Sequence, residues 1–141
     1  MPERRVVLVL TDGRDAPGVG RLPTTLSDIV QRTRVNGIMT YAIGFWSEAS
    51  GPYQRLPDTG REPPDPGLRE LAAESGGGYF EWHEGSSLEA TFVRVAEELH
   101  RQYWLGYVPP KLDGKEHEIE VRVRGRTVRA RRHYVATPTR R

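Results

Sequence analysis

The run Val6-Val-Leu-Val-Leu10, closed by Thr11-Asp-Gly-Arg-Asp15, constrains this chain more than any other stretch. Its β-branched residues favour a strand, and the Asp-Gly pair that follows is a turn signal. The apolarity is continuous rather than alternating, so both faces of the strand must be covered, as they are in a parallel sheet. With 36% hydrophobic and 28% charged residues among 141, a core has to be concentrated in a few such segments. Ile38-Met-Thr-Tyr-Ala-Ile-Gly44 reads as a second buried strand, and residues 88–99 carry apolar side chains at helical spacing. The length fits one ordinary domain.

Between these segments the punctuation is regular. Leu26, Ile29, Val30 and Thr33 mark one face of a helix, with Thr24 or Thr25 as its N-cap and Gly37 as its stop. Residues 47–67, rich in proline and glycine, form an irregular excursion. Leu68, Leu71 and Ala72 belong to a second helix ending at Gly76-Gly77-Gly78, and Tyr79-Phe-Glu-Trp82 is a third short strand. Ser86 and Glu89 fit a capping box opening a third helix with Leu88, Phe92, Val95, Ala96 and Leu99 on one face. The alternation of strand and helix predicts a Rossmann-like, doubly wound, mostly parallel sheet over residues 1–102. The pattern then changes. Tyr103-Trp-Leu-Gly-Tyr-Val108, the alternating residues 117–124 and the return from Thr127 to Val135 predict a three-stranded antiparallel β extension over 103–136, and 137–141 a disordered tail.

Several function classes drop out at this level. There is no cysteine, so disulfides, thiolate metal sites and cysteine nucleophiles are excluded. No apolar run reaches the length of a membrane helix, so membrane insertion is not expected. The five apolar residues after Arg5 are too few for a signal-peptide core, so the chain as given is expected to stay where it is made; no compartment is assigned. His83, His100, His117 and His133 show no metal-ligand spacing, and no nucleophile elbow or phosphate-cradling loop is present. An enzyme is therefore not expected. Charge is unevenly placed: residues 1–110 carry 11 basic and 15 acidic side chains, residues 111–141 carry 10 and 4.

Asp12 and Asp15 are the carboxylates placed as a site would be. Ligands of open α/β sheets bind beyond the carboxyl ends of the strands, and a hard cation such as Mg²⁺ takes oxygen ligands there. The plainer reading is that the Asp-Gly pair simply makes a turn.

The pieces Val7-Leu-Val-Leu-Thr-Asp-Gly13 and Gly37-Ile-Met-Thr-Tyr-Ala-Ile-Gly44 together resemble the second half of a von Willebrand factor type A domain. Leu68-Arg-Glu-Leu-Ala-Ala-Glu-Ser-Gly-Gly77 and Glu97-Glu-Leu-His-Arg-Gln-Tyr-Trp-Leu-Gly-Tyr107 are similar to its acidobacterial-type branch. The hairpin Glu118-Ile-Glu-Val-Arg-Val-Arg124 and Val128-Arg-Ala-Arg-Arg-His-Tyr134 is also similar to that branch. The resemblance runs from about residue 4 to 136. It implies a protein-binding or adhesion module, of a family often secreted or held at the cell envelope, with a metal-ion-dependent adhesion site. That site takes an Asp-x-Ser-x-Ser loop, a Thr and a third-loop Asp. Asp12 matches the third-loop Asp; Asp15 matches no ligand position of the family and reads as a surface carboxylate or, with Thr11, as a support behind the site. The Asp-x-Ser-x-Ser loop occurs nowhere in the chain. The resemblance thus implies Mg²⁺ or another divalent cation in a longer parent, and weak or no metal binding here. It also implies that the strand preceding residues 6–10 in the sheet is missing, leaving a bare edge that invites self-association.

The rival reading is an Arg-rich hairpin whose Arg122, Arg124, Arg129 and Arg131 form a basic stripe for nucleic acid or another polyanion. Glu118 and Glu120 share the polar face, so cross-strand Arg–Glu pairing accounts for the pattern without a nucleic acid.

Overall fold

The computed structural model describes residues 4–13, 24–48 and 61–137. The elements follow in the order β1 (Arg5–Thr11), α1 (Leu26–Asn36), β2 (Ile38–Phe45), β3 (Ser47–Glu48), β4 (Arg61–Glu62), α2 (Pro66–Ser75), β5 (Tyr79–Trp82), α3 (Leu88–His100), β6 (Glu116–Glu118) and β7 (His133–Val135). Strands β1, β2 and β5 form a parallel sheet in the order β1-β2-β5, with Leu8 beside Tyr41 and Ala42 beside Tyr79. Two small antiparallel pairs, β3 with β4 and β6 with β7, complete the described ladders. The fold is mixed α/β, with a parallel sheet and a smaller antiparallel sheet toward the C-terminus.

Local chemistry explains most boundaries. Thr25 caps α1: its hydroxyl accepts the Asp28 N–H at 3.2 Å, and the Asp28 carboxylate accepts the Thr25 N–H at 2.9 Å. The Thr25 hydroxyl, donating to the Asp28 carboxylate at 2.7 Å, and then the Thr25 N–H hold that carboxyl below its usual range. Gly37, left-handed at φ 63°, ends the helix. Asp65 and Pro66 open α2 as N-cap and first helical residue. In α3 the cap is Ser87, whose hydroxyl accepts the Ala90 N–H at 3.1 Å, and not Ser86. The Ser86 hydroxyl closes the preceding turn onto His83, and Ala90 has no carboxylate to return the bond, so the expected capping box is absent.

The core is built on β2. Tyr41 and Ile43, with Phe80 and Val95, form its centre, and Val6, Leu8, Met39, Phe45, Trp82, Leu88 and Leu99 pack around them. The odd-numbered residues of β2 therefore face α3. Thr40 and Ala42, alternating with them, are equally buried, and α2 packs against β2 and against α1. Strand β2 is covered on both faces, as its continuous apolarity requires. One backbone approach is very close: a Cβ on Gly77 would lie 1.9 Å from the Thr40 carbonyl oxygen. Strand β1 differs. It pairs with β2 alone among the described residues, and Val7 and Leu10 are 44% and 41% exposed.

The C-terminal sheet is smaller than expected. It has two strands, because residues 103–108 form no strand; Tyr103 and Val108 are 93% and 90% exposed. The expected alternation of burial holds as far as Arg122, with His117, Ile119 and Val121 half-buried and Glu118, Glu120 and Arg122 exposed, and ends at Val123, which is 52% exposed. The regular ladder nevertheless stops after three residues per strand. The register slips by two residues between the Glu118–His133 pair and the isolated Val123–Arg126 bridge, which breaks the ladder as a bulge does. So short a ladder offers little edge for a third strand, and aromatic β-propensity alone does not make one. Tyr107 still touches this sheet, its ring edge-on to Tyr134 at 5.3 Å.

Gly77→Ala should destabilise the fold by about 3 kcal/mol or more, since backbone must move to admit the methyl group. Gly106→Ala, where a Cβ meets nothing within 4 Å, should stay within about 0.5 kcal/mol of the parent. Urea denaturation of both variants checks the contrast; equal midpoints would refute the close-packing account.

Candidate site at the carboxyl end of the sheet

Asp12 follows directly on β1, at the end of the parallel sheet where binding loops gather. Two hydrogen bonds fix the loop. The Gly13 N–H donates to Thr11 Oγ1 at 3.0 Å, and the Asp65 N–H donates to the Asp12 carbonyl at 3.2 Å. Gly13 adopts φ 81°, and a Cβ there would lie 2.4 Å from the Asp65 Cβ, so only glycine fits. The Thr11 hydroxyl thus braces its own loop. Asp15 lies outside the described residues.

Asp65 is the neighbour that sequence reading missed. Its carboxylate accepts the Gly67 N–H at 2.6 Å, which commits it to capping α2. The signal was present in Pro64-Asp-Pro-Gly67, an N-cap followed by proline at the first helical position. Nothing local, however, says that this cap lands on Asp12. Among the described residues no three His, Cys, Asp or Glu side chains group as a metal site would. The described residues around Asp12 do not by themselves fit a divalent ion.

Beside this end of the sheet, Glu81 joins β5 to α2. It accepts from Arg69 at 2.8 Å, and the Arg69 guanidinium lies over the Tyr79 ring at 4.7 Å. Burial, then the Glu81 charge, raises the Tyr79 hydroxyl pKa above its ordinary value.

The arginines of the hairpin do not form one stripe. Arg129 is paired with Glu98 of α3, and Arg131 donates to the Gly37 carbonyl at 3.3 Å. Arg122 pairs with Glu120 at 2.6 Å, two residues away, and Arg124 is exposed. Two of the four residues thus turn back onto the domain. A second network, at the opposite end of the sheet where α1 and α2 finish and β2 and β5 begin, went unseen in the sequence. Arg34 of α1 bonds Glu74 of α2 at 2.7 Å and Glu116 of β6 at 2.8 Å, while Arg132 and His133 approach Glu74 at 3.5 and 3.3 Å. It ties β6 and β7 to the helices.

No protein-family model and no curated protein matches the chain. Among solved structures it is similar to the crystal structure of an uncharacterized membrane spanning protein from Vibrio fischeri, with 19% identity and a TM-score of 0.48. The likeness covers 72% of this chain and 48% of that one, so the chain spans about half the length of the structure it matches. Among the described residues of the present chain, no helix is long and apolar enough to cross a membrane.

The network makes stability depend on acid. The Arg34 hydrogen bond, against the opposing effect of burial, holds the Glu74 carboxyl below its ordinary value of 4.5. A carboxylate depressed in the folded state contributes stability that is present above its unfolded pKa and lost as pH falls through the folded value. Glu74→Gln should therefore cost about 1–3 kcal/mol at pH 7. It should also lose less stability than the parent between pH 5 and pH 3. Denaturation at pH 7, 5 and 3 tests this; parallel pH profiles for the two proteins would refute it.

Proposed function

We propose that this chain is a non-enzymatic binding module, resembling the C-terminal half of a von Willebrand factor type A domain, which takes a protein ligand at the carboxyl end of its parallel sheet. The observation that carries the reading is the placement of Thr11-Asp-Gly13. A carboxylate-bearing loop follows the strand at the binding end of the sheet, and its geometry is held by a glycine that nothing else can replace. The order of strands and helices along the quoted segments supports the same reading, as does the parallel β1-β2-β5 arrangement. In a longer parent Asp12 would contribute one oxygen to a divalent cation, and the remaining ligands would come from loops this chain does not carry.

Reading the DNA upstream of the Met1 codon tests the assignment. An in-frame Asp-x-Ser-x-Ser supports it, and an upstream reading frame without that loop removes the adhesion-site part of the proposal. In the chain as it stands, calorimetric titration with Mn²⁺ should give affinity of about millimolar or weaker, unchanged in Asp12→Ala. A micromolar site abolished by Asp12→Ala would show instead that this chain builds a complete cation site.

A further inference from the structure

Among the described residues strand β1 pairs with β2 alone, and the side chains along its other edge are complementary to their own reversed order. Its flanks are Arg4 at one end and Asp12 at the other, with only apolar residues from Val6 to Leu10 between. In an antiparallel pairing of two copies centred on Leu8, Arg4 falls opposite Asp12, Arg5 opposite Thr11, Val6 opposite Leu10, Val7 opposite Val9, and Leu8 opposite itself. Opposed residues of an antiparallel pair share a face, so Arg4 and Asp12 become direct cross-strand neighbours, twice per dimer. A slide of two residues in either direction sets Leu10 against Arg4 or Val6 against Asp12. Those registers lose the charge match and expose apolar side chains to charged ones.

The surroundings of the edge fit the same partner. Leu10 and Val7, on opposite faces of β1, are each more than two-fifths exposed. On α3, the Arg94 guanidinium lies over the Phe80 ring at 5.1 Å and Glu98 pairs with Arg129, so that flank of the helix turns toward β5. At 100° per residue Phe92 and Ala96 fall on the opposite flank, toward β1. Phe92 is 38% exposed, and the Arg4 guanidinium reaches the Leu99 carbonyl at the end of the same helix. Arg4 is also held by Gln102 at 2.7 Å; both of these acceptors are neutral.

We propose that the chain forms a two-fold dimer through β1, antiparallel and centred on Leu8, in which the two three-stranded sheets join into one and the α3 helices lie on the same face with Phe92 toward Phe92 of the second copy. An edge strand with unpaired backbone groups beside apolar side chains is satisfied by such pairing, and the two-fold closes it without further growth.

Sedimentation equilibrium of the whole chain should give a dimer. Val7→Lys, at an exposed position, should raise its dissociation constant at least about tenfold while circular dichroism stays unchanged. The chain has no cysteine, so single thiols report the register. Leu8→Cys should form a disulfide-linked dimer on mild oxidation. Val6→Cys and Leu10→Cys should each fail alone and cross-link when mixed. A wild-type chain that is monomeric at high concentration overturns the proposal, whether the edge is then covered by the chain's own residues or left open. So does a dimer indifferent to Val7→Lys. Cross-linking of Val6→Cys with itself in preference to the Val6→Cys and Leu10→Cys mixture overturns the register. The wild-type and Val7→Lys measurements need no substitution in the core. None of the variants alters Asp12, so the outcome is separate from that of the binding function proposed above.

Discussion

Strand β2 carries three consecutive residues, Tyr41, Ala42 and Ile43, that are almost wholly removed from water, and consecutive residues of a strand point to opposite faces. Both faces therefore need a cover, and the chain supplies two different ones. Tyr41 and Ile43 meet Val95 of α3, while α2 closes over the alternate face. The second cover depends on a missing side chain. Gly77 brings the start of the β5 segment so close to the Thr40 carbonyl that a methyl group would displace it. The buried Thr40 N–H is meanwhile taken by the Ser75 hydroxyl at 2.9 Å. Backbone contact, hydrogen-bond satisfaction and the end of α2 are thus solved together within a few residues.

What the sequence made legible were features whose cause is local. Continuous apolarity marked β1 and β2, and Thr25 with Gly37 marked the ends of α1, because strand burial and helix capping are written in neighbouring residues. The aromatic segment from Tyr103 was misread for the complementary reason. Its residue types favour a strand, but a strand needs an edge to join, and the register slip beyond Ile119 removed one. At the candidate site, Asp12 was readable from its place after an apolar run, whereas its contact with Asp65 was not. The same holds for Arg34, whose partners Glu74 and Glu116 lie 40 and 82 residues away. No spacing rule connects residues that meet only after the sheet has formed.

Charge asymmetry along the chain takes on a different meaning in three dimensions. The basic C-terminal stretch and the acidic body invite the idea of an external polyanion. Instead Arg129 meets Glu98, and Arg132 with His133 meets Glu74, so part of the positive charge is spent on docking the hairpin. Arg34 and Glu116 make the reciprocal contact, with the cation on the body and the anion on the hairpin. The Arg34–Glu74 pair at the centre, with side chains 20% and 16% exposed, is more consequential than pairs at open surface, since a stranded partner there is costly to leave unmatched.

The Arg34–Glu74 network also sets an order of assembly during translation. Both residues emerge from the ribosome well before Glu116, Arg132 and His133, and at that stage the helices are ready while their clamp is still unmade. Until β7 arrives, the nascent body presents Glu74 and the glycine turn after α2 to solvent, without the Arg132, His133 and Ala130–Arg131 contacts that later cover them. A ribosome that terminates before residue 132 releases a chain whose helices and parallel sheet have every local instruction they need, yet whose seam has never been closed. The cell's degradation machinery, rather than any loss of a binding residue, would then decide the fate of such a product.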